Sequence, residues 1–320
     1  MKAAVHETYG GPEVIVIKEL PKPVPEPNQI LVKVIAATVN RTDCGFLRGE
    51  PSIVRLFAGL RKPRKTISGS DFAGVVLEVG DKVHGFKPGD KVFGFDDNGV
   101  CSHAGYLVIE QDKPLTQIPE GISFIDAVAS LEGAHYAFNF INKLNLKSGD
   151  KVLLNGATGA IGSAGLQLLN YFGAEVTAIC DTKNMKLIED LGAHSVIDYT
   201  KEDFTSGKIK YDYVFDSVGK SSFGACKKIL KSGGIYVSSE LGKNMENIYL
   251  ALFTPIFAKK KVIFPLPSNI KRSINFMTKL LDEKKFKPVI DRVYNLEDIV
   301  EAFLYVESGK KTGNVIINME

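Results

Sequence analysis

The chain has 320 residues, of which 44% are hydrophobic and 24% charged, a balance typical of soluble globular proteins. Single hydrophobic cores stop growing near this length, so we expect two domains. The 40 basic and 37 acidic residues leave a net charge of +3, too even for broad contact with nucleic acid. No segment reaches the roughly 18 to 20 consecutive apolar residues of a membrane span. We therefore expect neither a nucleic-acid partner nor an integral membrane segment.

The cysteines are few and scattered. Cys44, Cys101, Cys180 and Cys226 form no C-x-x-C pair, so neither a disulfide framework nor a closed zinc site is indicated. The first ten residues, "MKAAVHETYG", lack the apolar core of a signal peptide and the Arg/Ser-rich pattern of a presequence. These features predict a reducing, cytoplasmic location.

Residues 1–119 contain short apolar runs separated by Gly and Pro turns. The runs are "AAVHETYG", "EVIVIKEL", "QILVKVIAATV", "DFAGVVLEVG" and "AGYLVI", and the punctuation includes "FKPGDKVFG". This pattern predicts a mainly antiparallel, barrel-like β domain. The basic segment "GFLRGEPSIVRLFAGLRKPRK" after Asn40 has two interpretations: a surface loop with a short helix, or a wall of the substrate pocket.

Residues 120–266 alternate strand-like and helix-like segments. The six strand candidates are "KVLLNG", "AEVTAIC", "SVIDY", "YDYVFDSVG", "GGIYVSS" and "KKVIFPL". Such alternation is typical of a doubly wound parallel sheet, and six strands make a full dinucleotide fold. Residues 267–320 contain two helical and two strand-like segments, which we expect to fold back on the first domain. The dinucleotide domain is then an insertion.

A glycine-rich turn follows the first strand of the predicted parallel sheet and begins a helix. Glycines at such a turn let the backbone approach a pyrophosphate, while the N–H groups and the helix dipole face its charge. An ordinary tight turn is the alternative. The candidate cofactor-binding residues are Gly156, Ala157, Thr158, Gly159, Ala160, Ile161 and Gly162.

The end of the second strand of this sheet bears on the choice of nicotinamide cofactor. An acidic residue there accepts from the ribose hydroxyl of NAD, whereas a basic residue favours the 2′-phosphate of NADP. The segment "CDTKNMK" contains both types: Asp181 for a free ribose, and Thr182, Lys183 and Lys186 for a phosphate. A solvated helix start is the alternative interpretation of both lysines.

Several motifs in order carry a family resemblance. They are "ATVNRTDCGFLRGE", "GSDFAGVVLEVG", "FKPGDKVFG", "GATGAIG", "LGAHSVIDYTKEDF" and "EAFLYVESGKKTGNVII". Together they resemble the medium-chain dehydrogenase/reductase superfamily, in particular its zinc-independent quinone oxidoreductase branch. The resemblance implies an α/β protein with a GroES-like catalytic domain built from both chain ends, an inserted Rossmann domain, and a cleft where they meet.

No catalytic zinc is expected. The alcohol-dehydrogenase branch of this superfamily has a zinc-ligating Cys where this chain has Asn40, and a His-Glu pair where it has Ser70 and Asp71. Asn and Ser are poor zinc ligands. Cys101 stands alone in its region, and His84 and His103 are too isolated to replace the missing ligands.

The resemblance implies hydride transfer from NADPH, with NADH as the less favoured cofactor, to a quinone or an α,β-unsaturated carbonyl. It puts Asn40 beside the substrate carbonyl as a hydrogen-bond donor; the alternative is a turn residue that ends a strand. His135 is a candidate proton relay, or a histidine buried on a helix. Quinone oxidoreductases often have a Tyr soon after the Asn, but this chain has Cys44, Gly45 and Phe46 there.

Further cofactor contacts are implied at matching positions. The residues are Tyr199 by the adenosine phosphate, Ser217, Val218 and Gly219 after Asp216 at the end of the fourth strand, and Phe264 and Leu266 in the last strand. Their alternatives are a strand-end aromatic residue for Tyr199 and ordinary core or dimer sequence for the last strand.

Two expectations concern partners and surface charge. A homodimer is expected, since twofold assemblies are the most common. A regulatory NADPH-binding protein with little turnover is the alternative function. The basic segment has two interpretations: it attracts an anionic substrate or a membrane surface, or it is a solvated face. Its basic residues are Arg48, Arg61, Arg64 and Lys65.

Overall fold

The computed structural model describes residues 1–238, 240–266 and 268–320. The chain divides into two compact units. Unit 1 comprises Met1–Glu132 and Asn269–Glu320, and unit 2 comprises Gly133–Ser268. The predicted domain limits lie at 119 and 266, whereas these units divide at 132 and 268.

Unit 1 begins with seven strands and three helices. The strands are β1 (Lys2–Val5), β2 (Val16–Glu19), β3 (Gln29–Val39), β4 (Asp71–Val79), β5 (Lys91–Phe95), β6 (Tyr106–Glu110) and β7 (Leu115–Gln117). The helices are α1 (Arg41–Arg48), α2 (Val54–Ala58) and α3 (Phe124–Ala129).

Most strands of unit 1 pair antiparallel. β1 pairs with β2, and β3 pairs with both β4 and β6. The bounds of β3 match the predicted run. The segment "FKPGDKVFG" was predicted only as a turn between strands. This was wrong, because its last residues belong to β5, which pairs with β4 and β7. Val92, Phe93 and Phe95 are fully buried in β5. Their packing in the core favours a strand directly after the Gly turn.

Unit 2 is an α/β unit with parallel strands. The strands are β8 (Lys151–Asn155), β9 (Glu175–Cys180), β10 (Ser195–Asp198), β11 (Tyr211–Asp216), β12 (Leu230–Ser238) and β13 (Lys261–Ile263). The helices are α4 (Glu132–Asn142), α5 (Ala160–Tyr171), α6 (Met185–Asp190), α7 (Phe223–Cys226) and α8 (Glu246–Phe257); α4 starts on the last residue of unit 1. Of these, α8 was not predicted.

The six predicted strands of unit 2 form one sheet within the described residues, in the order β10-β9-β8-β11-β12-β13. All of these neighbours are parallel. The order runs outward in both directions from the β8–β11 pair, which is the topological switch point of a dinucleotide fold. The prediction of a doubly wound parallel sheet is confirmed.

The end of the chain returns to unit 1. It forms α9 (Ile270–Asp282), β14 (Ile290–Asn295), α10 (Ile299–Glu307) and β15 (Asn314–Asn318). β15 pairs antiparallel with β3, with Val315 opposite Val39. Buried side chains of α10 and β15 then share a hydrophobic core with Leu47 of α1.

Candidate active site

The glycine turn of unit 2 lies directly after β8 and needs its glycines. Gly156 has a φ of +82°, a conformation that favours glycine. An ideal Cβ on Gly156 would lie 2.7 Å from Cβ of Val218, in the loop after β11. An ideal Cβ on Gly162 would lie 2.0 Å from the carbonyl oxygen of Gly156. The two loops at the switch point thus pack so closely that a side chain at Gly156 or Gly162 would not fit without movement.

Helix α5 begins at this glycine turn. Gly159 is its N-cap residue and supplies no side-chain cap, whereas Asn40 and Asn269 cap α1 and α9. The first N–H groups of α5 and the positive end of its dipole are therefore suited to an anion. This arrangement fits the pyrophosphate of a dinucleotide.

Asp216 holds the two loops together. Its carboxylate is fully buried and accepts from the Asn155 side chain at 3.0 Å, the Gly219 N–H at 3.0 Å and the Tyr236 hydroxyl at 2.9 Å. The Ser217 hydroxyl donates to the carbonyl of Asn155 at 2.8 Å. The residues predicted from the "DSVG" segment thus lie beside the glycine turn, and Asp216 positions them.

The loop after β9 brings a lysine to an aspartate. Asp181 accepts from the Asn184 side chain at 2.6 Å, and its other carboxylate oxygen lies 3.7 Å from Nζ of Lys183. Lys183 keeps 67% of its side chain exposed. Lys186 instead pairs with Asp190 along α6 at 2.5 Å. Of the two predicted phosphate ligands, Lys183 lies next to Asp181, whereas Lys186 is paired along the helix.

The end of β10 adds groups that the sequence did not single out. Asp198 accepts from the hydroxyls of Thr182 and Thr200, and Nζ of Lys201 lies 3.3 Å from its carboxylate. These hydroxyl hydrogen bonds lower the pKa of Asp198. The backbone N–H of Tyr199 donates to the carbonyl of Cys180 at 3.1 Å. Tyr199 therefore lies at the same sheet edge as Asp181, and its side chain is exposed.

His135 lies on α4 and is almost fully buried. The Asn139 amide is 3.1 Å from its Nδ1 and donates to its backbone carbonyl at 2.9 Å. Burial lowers the pKa of His135 to about 4, so the ring is neutral at pH 7. Phe264 follows β13 half-buried, and Leu266 is 72% exposed.

In unit 1, Asn40 caps α1 and is buried. Its Oδ1 accepts from the Asp43 N–H at 2.9 Å, and its own N–H donates to the Asp43 carboxylate at 3.0 Å, which is a capping box. Its Nδ2 donates to the hydroxyls of Ser70 at 3.0 Å and Thr38 at 3.3 Å. Both hydrogens of the amide that was predicted to meet a substrate carbonyl are thus directed at protein hydroxyls.

Two buried carboxyl groups lie beside Asn40. Asp71 accepts from the N–H and the hydroxyl of Thr38 at 2.8 and 2.6 Å, yet burial raises its pKa to about 6. Burial, and next the charge of Asp71, raises the pKa of Asp43 well above its usual range. Burial therefore favours the protonated form of Asp43.

Asp43 borders a pocket in unit 1 of about 250 Å³. The basic segment after Asn40 forms much of its wall. The apolar lining residues are Phe46, Phe57, Ala58, Pro63 and Ile67, and the polar or charged ones include His6, Asp43, Arg64, Lys65 and Ser68.

Sequence reasoning missed Asp43 and His6 as pocket residues. The sequence does contain a signal for Asp43, because an Asn followed three residues later by an acidic residue resembles a capping box. No signal in the sequence indicates that His6 reaches the same pocket.

The four basic residues of the insertion have different surroundings. Arg48 makes a two-point ion pair with Glu307 at 2.6 and 2.7 Å. Nζ of Lys65 donates to the backbone carbonyls of Asn98 and Gly99 at 3.0 and 2.6 Å. Arg64 lines the pocket, and Arg61 is exposed. They therefore do not act as one charged surface.

The histidines and cysteines form no apparent metal centre. Across residues 1–238, 240–266 and 268–320, no group of three or more His, Cys, Asp or Glu side chains is arranged to hold a metal ion. His103 is buried, accepts from the Ser68 hydroxyl and donates to the carbonyl of Thr38, both at 2.8 Å. No helix in the described part of the chain has the length and hydropathy to cross a membrane.

Comparison with known proteins identifies the class to which this arrangement belongs. Residues 26–122 match the alcohol dehydrogenase GroES-like domain, and residues 191–317 match the zinc-binding dehydrogenase family. The fold is thus that of a dehydrogenase/reductase with a GroES-like and a Rossmann unit.

Individual relatives narrow the class. The 2-methylene-furan-3-one reductase of Solanum lycopersicum is 32% identical, with 99% of this chain and 79% of the relative covered. The chloroplastic NADPH-dependent alkenal/one oxidoreductase of Arabidopsis thaliana is 29% identical with the same coverage. A solved quinone oxidoreductase from Coxiella burnetii has a TM-score of 0.86 and 26% identity, with 100% and 99% coverage. The chain belongs to the medium-chain dehydrogenase/reductase superfamily, in its zinc-independent quinone oxidoreductase-like branch.

Proposed function

We propose that this protein reduces quinones or α,β-unsaturated carbonyl compounds with NADPH, without zinc. The observation that carries this proposal is the tight glycine turn at the switch point of unit 2, where a Cβ on Gly162 would lie 2.0 Å from a carbonyl oxygen and where α5 begins without a side-chain cap. Such a turn suits a dinucleotide pyrophosphate. The names of the reductases and oxidoreductases among the relatives support the reaction class.

Different residues of unit 2 are proposed to bind different parts of the cofactor. The turn from Gly156 to Gly162 would hold the pyrophosphate, together with the loop from Ser217 to Gly219. Tyr199 would contact the adenosine phosphate, and Phe264 and Leu266 would contact the nicotinamide ribose. When bound, the nicotinamide would supply a hydride, which is the chemistry that the side chains lack.

The loop after β9 supports the proposed preference for NADPH. Lys183 already partners the carboxylate of Asp181, which reduces the repulsion of a 2′-phosphate. Lys183 and Lys201 both keep about two thirds of their side chains exposed, so their ammonium groups are accessible to a phosphate. In a site that binds only NADH, we would expect an acidic residue such as Asp181 without lysines such as Lys183 and Lys201 nearby.

Asp43 is the proton donor in this proposal. Reduction of an enone adds a hydride to the β-carbon and a proton to the α-carbon or oxygen. The carboxyl group of Asp43 borders the unit 1 pocket, and burial favours its protonated form, as an acid catalyst requires. After donation, solvent reprotonates Asp43 through the raised affinity that burial confers on it.

Asn40 and His135 stay predictions as catalytic residues. A hydrogen bond from Asn40 to a substrate carbonyl requires its amide to exchange the hydroxyl of Thr38 or Ser70 for the substrate. His135 is neutral and lies against Asn139, so a relay through it requires a protonated ring that burial disfavours.

The proposal includes a homodimer through α8 and β13. Strand β13 lies at the edge of the sheet of unit 2. The exposed apolar side chains of α8 recur at helical spacing: Tyr249, Leu252, Phe253, Ile256 and Phe257. An exposed apolar row of this kind marks an interaction surface. Light scattering should give twice the mass of one chain, and Phe253→Glu should give the monomer mass; Val24→Glu, in an exposed loop of unit 1, is the control.

The proposal also includes a reducing compartment, as the cytoplasm is. All four cysteines are unpaired, and burial raises the pKa of Cys180 and Cys226 to about 11. Thiols in that state are protected from oxidation. A fluorescent protein fusion observed in living cells tests the location directly.

A titration series tests the proposed reaction. Cofactor affinity is measured with NADPH and NADH, and a quinone and then an enone are added to the same sample in the presence of EDTA. Tight NADPH binding followed by its oxidation supports the proposal. Cofactor binding without oxidation by any acceptor would leave a binding protein, and activity lost in EDTA and restored by zinc would overturn the zinc-independent mechanism.

A further inference from the structure

The basic segment after Asn40 exposes large apolar side chains. Helix α2 lies within this segment, and none of its residues is buried. The exposed apolar side chains occur in α2 and just beyond both of its ends, at the sequence spacing of one helix face. They are Ile53, Leu56, Phe57 and Leu60, and each is more than half exposed. Such a row of neighbouring apolar side chains in water marks an interaction surface.

Basic residues accompany this apolar row. Residues 51–65 include five basic residues and no acidic one, which leaves 35 of the 40 basic and all 37 acidic residues for the rest of the chain. The net positive charge of the protein therefore comes from this segment. Arg61, Lys62 and Arg64 are exposed within it. These three cations and the four apolar side chains are called the α2 surface below.

Backbone and side-chain contacts hold the α2 surface in place. The N–H of Arg64 donates to the carbonyl of Ala58 at 2.7 Å. Gly59, between them, has a φ of +125°, a conformation that favours glycine, and its carbonyl accepts from the hydroxyl of Tyr9 at 2.6 Å. The guanidinium of Arg55 lies 4.9 Å from the centre of the Tyr9 ring. The exposed row thus belongs to a folded loop, and turning it inward would break these contacts.

The combination of apolar and cationic groups indicates the class of partner. An anionic lipid bilayer takes apolar side chains between its headgroups and attracts cations to its surface. A second copy of this chain, docked on the same surface, would bring identical cations together across a twofold axis, which is unfavourable. A nucleic acid backbone would pair with the cations but would not cover the aliphatic side chains.

We propose that the α2 surface attaches the protein reversibly to membranes that contain anionic lipids. Its apolar side chains enter the headgroup region, and its cations contact the lipid phosphates and carboxylates. Phe57 and Arg64 also line the unit 1 pocket, so the bound membrane lies beside that pocket. The attachment needs neither cofactor nor substrate and therefore goes beyond the proposed reductase function.

Sedimentation of the full chain with vesicles tests this attachment. Vesicles of phosphatidylcholine are compared with vesicles in which about one third of the lipid is phosphatidylserine. Partition onto the anionic vesicles should be roughly hundredfold stronger, because each exposed cation adds to binding at an anionic surface, and high salt should remove most of that difference. Equal partition onto both vesicles, or onto neither, would overturn the proposal.

A charge variant tests the cations. Arg61→Glu combined with Lys62→Glu should weaken binding to the anionic vesicles about tenfold or more. Lys82→Glu combined with Lys87→Glu is the control, since it changes the net charge equally in an exposed loop between β4 and β5. An equal loss in the control would show that net charge, and not the α2 surface, governs binding, which would refute the proposal.

An apolar variant distinguishes a membrane from an acidic soluble partner. Leu56→Ser combined with Leu60→Ser should weaken vesicle binding about tenfold, whereas Val24→Ser combined with Ile209→Ser, at exposed positions elsewhere, should not. All replaced side chains are exposed, so thermal unfolding should match that of the natural chain. A loss in the charge variant with none in the apolar variant would assign the surface to an acidic soluble partner and overturn the membrane assignment.

A fluorescent label reports entry into the bilayer directly. Leu60→Cys is labelled with nitrobenzoxadiazole, and the natural chain, in which Cys44, Cys180 and Cys226 are buried, gives the background. The emission should shift to shorter wavelength on anionic vesicles, and the same label in Val24→Cys should not respond. Binding without a shift at Leu60 would place the contact elsewhere and refute the proposal. Because no cofactor or substrate is present, this result is independent of the reductase function.

Discussion

The buried carboxyl groups beside Asn40 in unit 1 and Asp198 at the end of β10 in unit 2 have pKa values shifted in opposite directions. In unit 1, burial raises the pKa of Asp71 to about 6 and that of Asp43 well above its usual range. In unit 2, the hydroxyls of Thr182 and Thr200 lower the pKa of Asp198. The difference arises because burial without a cation favours the neutral acid, whereas several donors favour the carboxylate.

This contrast matches different tasks. A carboxyl group with a raised pKa beside an apolar pocket, as Asp43 has, can supply a proton, which suits the proposed substrate side of a reductase. Charged carboxylates fix loops through hydrogen bonds and leave the backbone to bind phosphate, which suits the cofactor side. In the proposed function, proton supply therefore depends on side chains in unit 1 and cofactor binding on backbone geometry in unit 2, and each can be tested alone.

The largest effect is expected from Gly162→Ala in unit 2. The added Cβ would meet the carbonyl oxygen of Gly156 at 2.0 Å, so the turn must move. Loss of about two charge-assisted hydrogen bonds should weaken NADPH binding roughly hundredfold in a fluorescence titration. Gly207→Ala is the control, since its Cβ would have only an ordinary contact at 3.8 Å. Equal affinity in the two variants would show that the turn does not bind the cofactor.

Asp43→Asn tests the proton donor in unit 1. The amide has nearly the shape of the carboxyl group and can still accept from the Asn40 N–H, but it cannot release a proton. We expect kcat for an enone to fall roughly hundredfold, with cofactor affinity nearly unchanged. Asp126→Asn, which alters the acid beside the Ser123 cap of α3, should retain activity. Full activity in Asp43→Asn would assign Asp43 to helix capping alone.

Lys183→Ala sharpens the assignment of the cofactor. Removal of one charged contact should weaken NADPH binding about tenfold and leave NADH binding unchanged. Lys186→Ala is the matched control, because Lys186 pairs with Asp190. Equal losses for both cofactors would mean that Lys183 does not contact the 2′-phosphate.

The smallest effect concerns stability against pH. Asp71 binds its proton more tightly in the folded chain, at about 6 against an ordinary pKa of 3.8. Its stabilising contribution is therefore complete below about pH 4 and is lost as the pH rises through 6. Between pH 5 and 8, the free energy of unfolding of the unsubstituted protein should fall by about 1 kcal/mol relative to that of Asp71→Asn, as measured by denaturant unfolding at each pH.

Asp198→Asn provides the opposite case. The pKa of Asp198 is lowered in the folded chain, so its contribution is present above about pH 4 and is lost only in more acidic solution. The free energy of unfolding of Asp198→Asn should differ from that of the unsubstituted protein by a constant amount between pH 5 and 8, as measured by denaturant unfolding. Parallel pH curves for the two variants would contradict the contrast between the units.

Much of unit 2 was predictable because its signals are local. Buried strands, crossover helices and glycine spacing lie within short windows of sequence, and the predicted six strands all occur. α8 was missed because its exposed apolar residues give little amphipathic pattern. β5 was missed because a turn motif precedes it, and only the burial of Phe93 and Phe95 shows that the chain continues as a strand.

The substrate side was less predictable because it depends on residues distant in sequence. Asn40 was identified, but the hydroxyls of Thr38 and Ser70 that occupy its amide are visible only after β3 and β4 pair. The neutral state of His135 likewise depends on burial, which the helical pattern around it does not specify.

The sequence by itself determined the family, the alternation of strands and helices in unit 2 and the glycine turn, since each depends on residue type at fixed spacing. Tertiary structure alone decided which carboxyl groups have raised pKa values, and that His6 and Asp43 border one pocket. The physical reason is that a pKa and a place in a pocket lining depend on what surrounds a side chain in space, and packing of distant segments creates those surroundings.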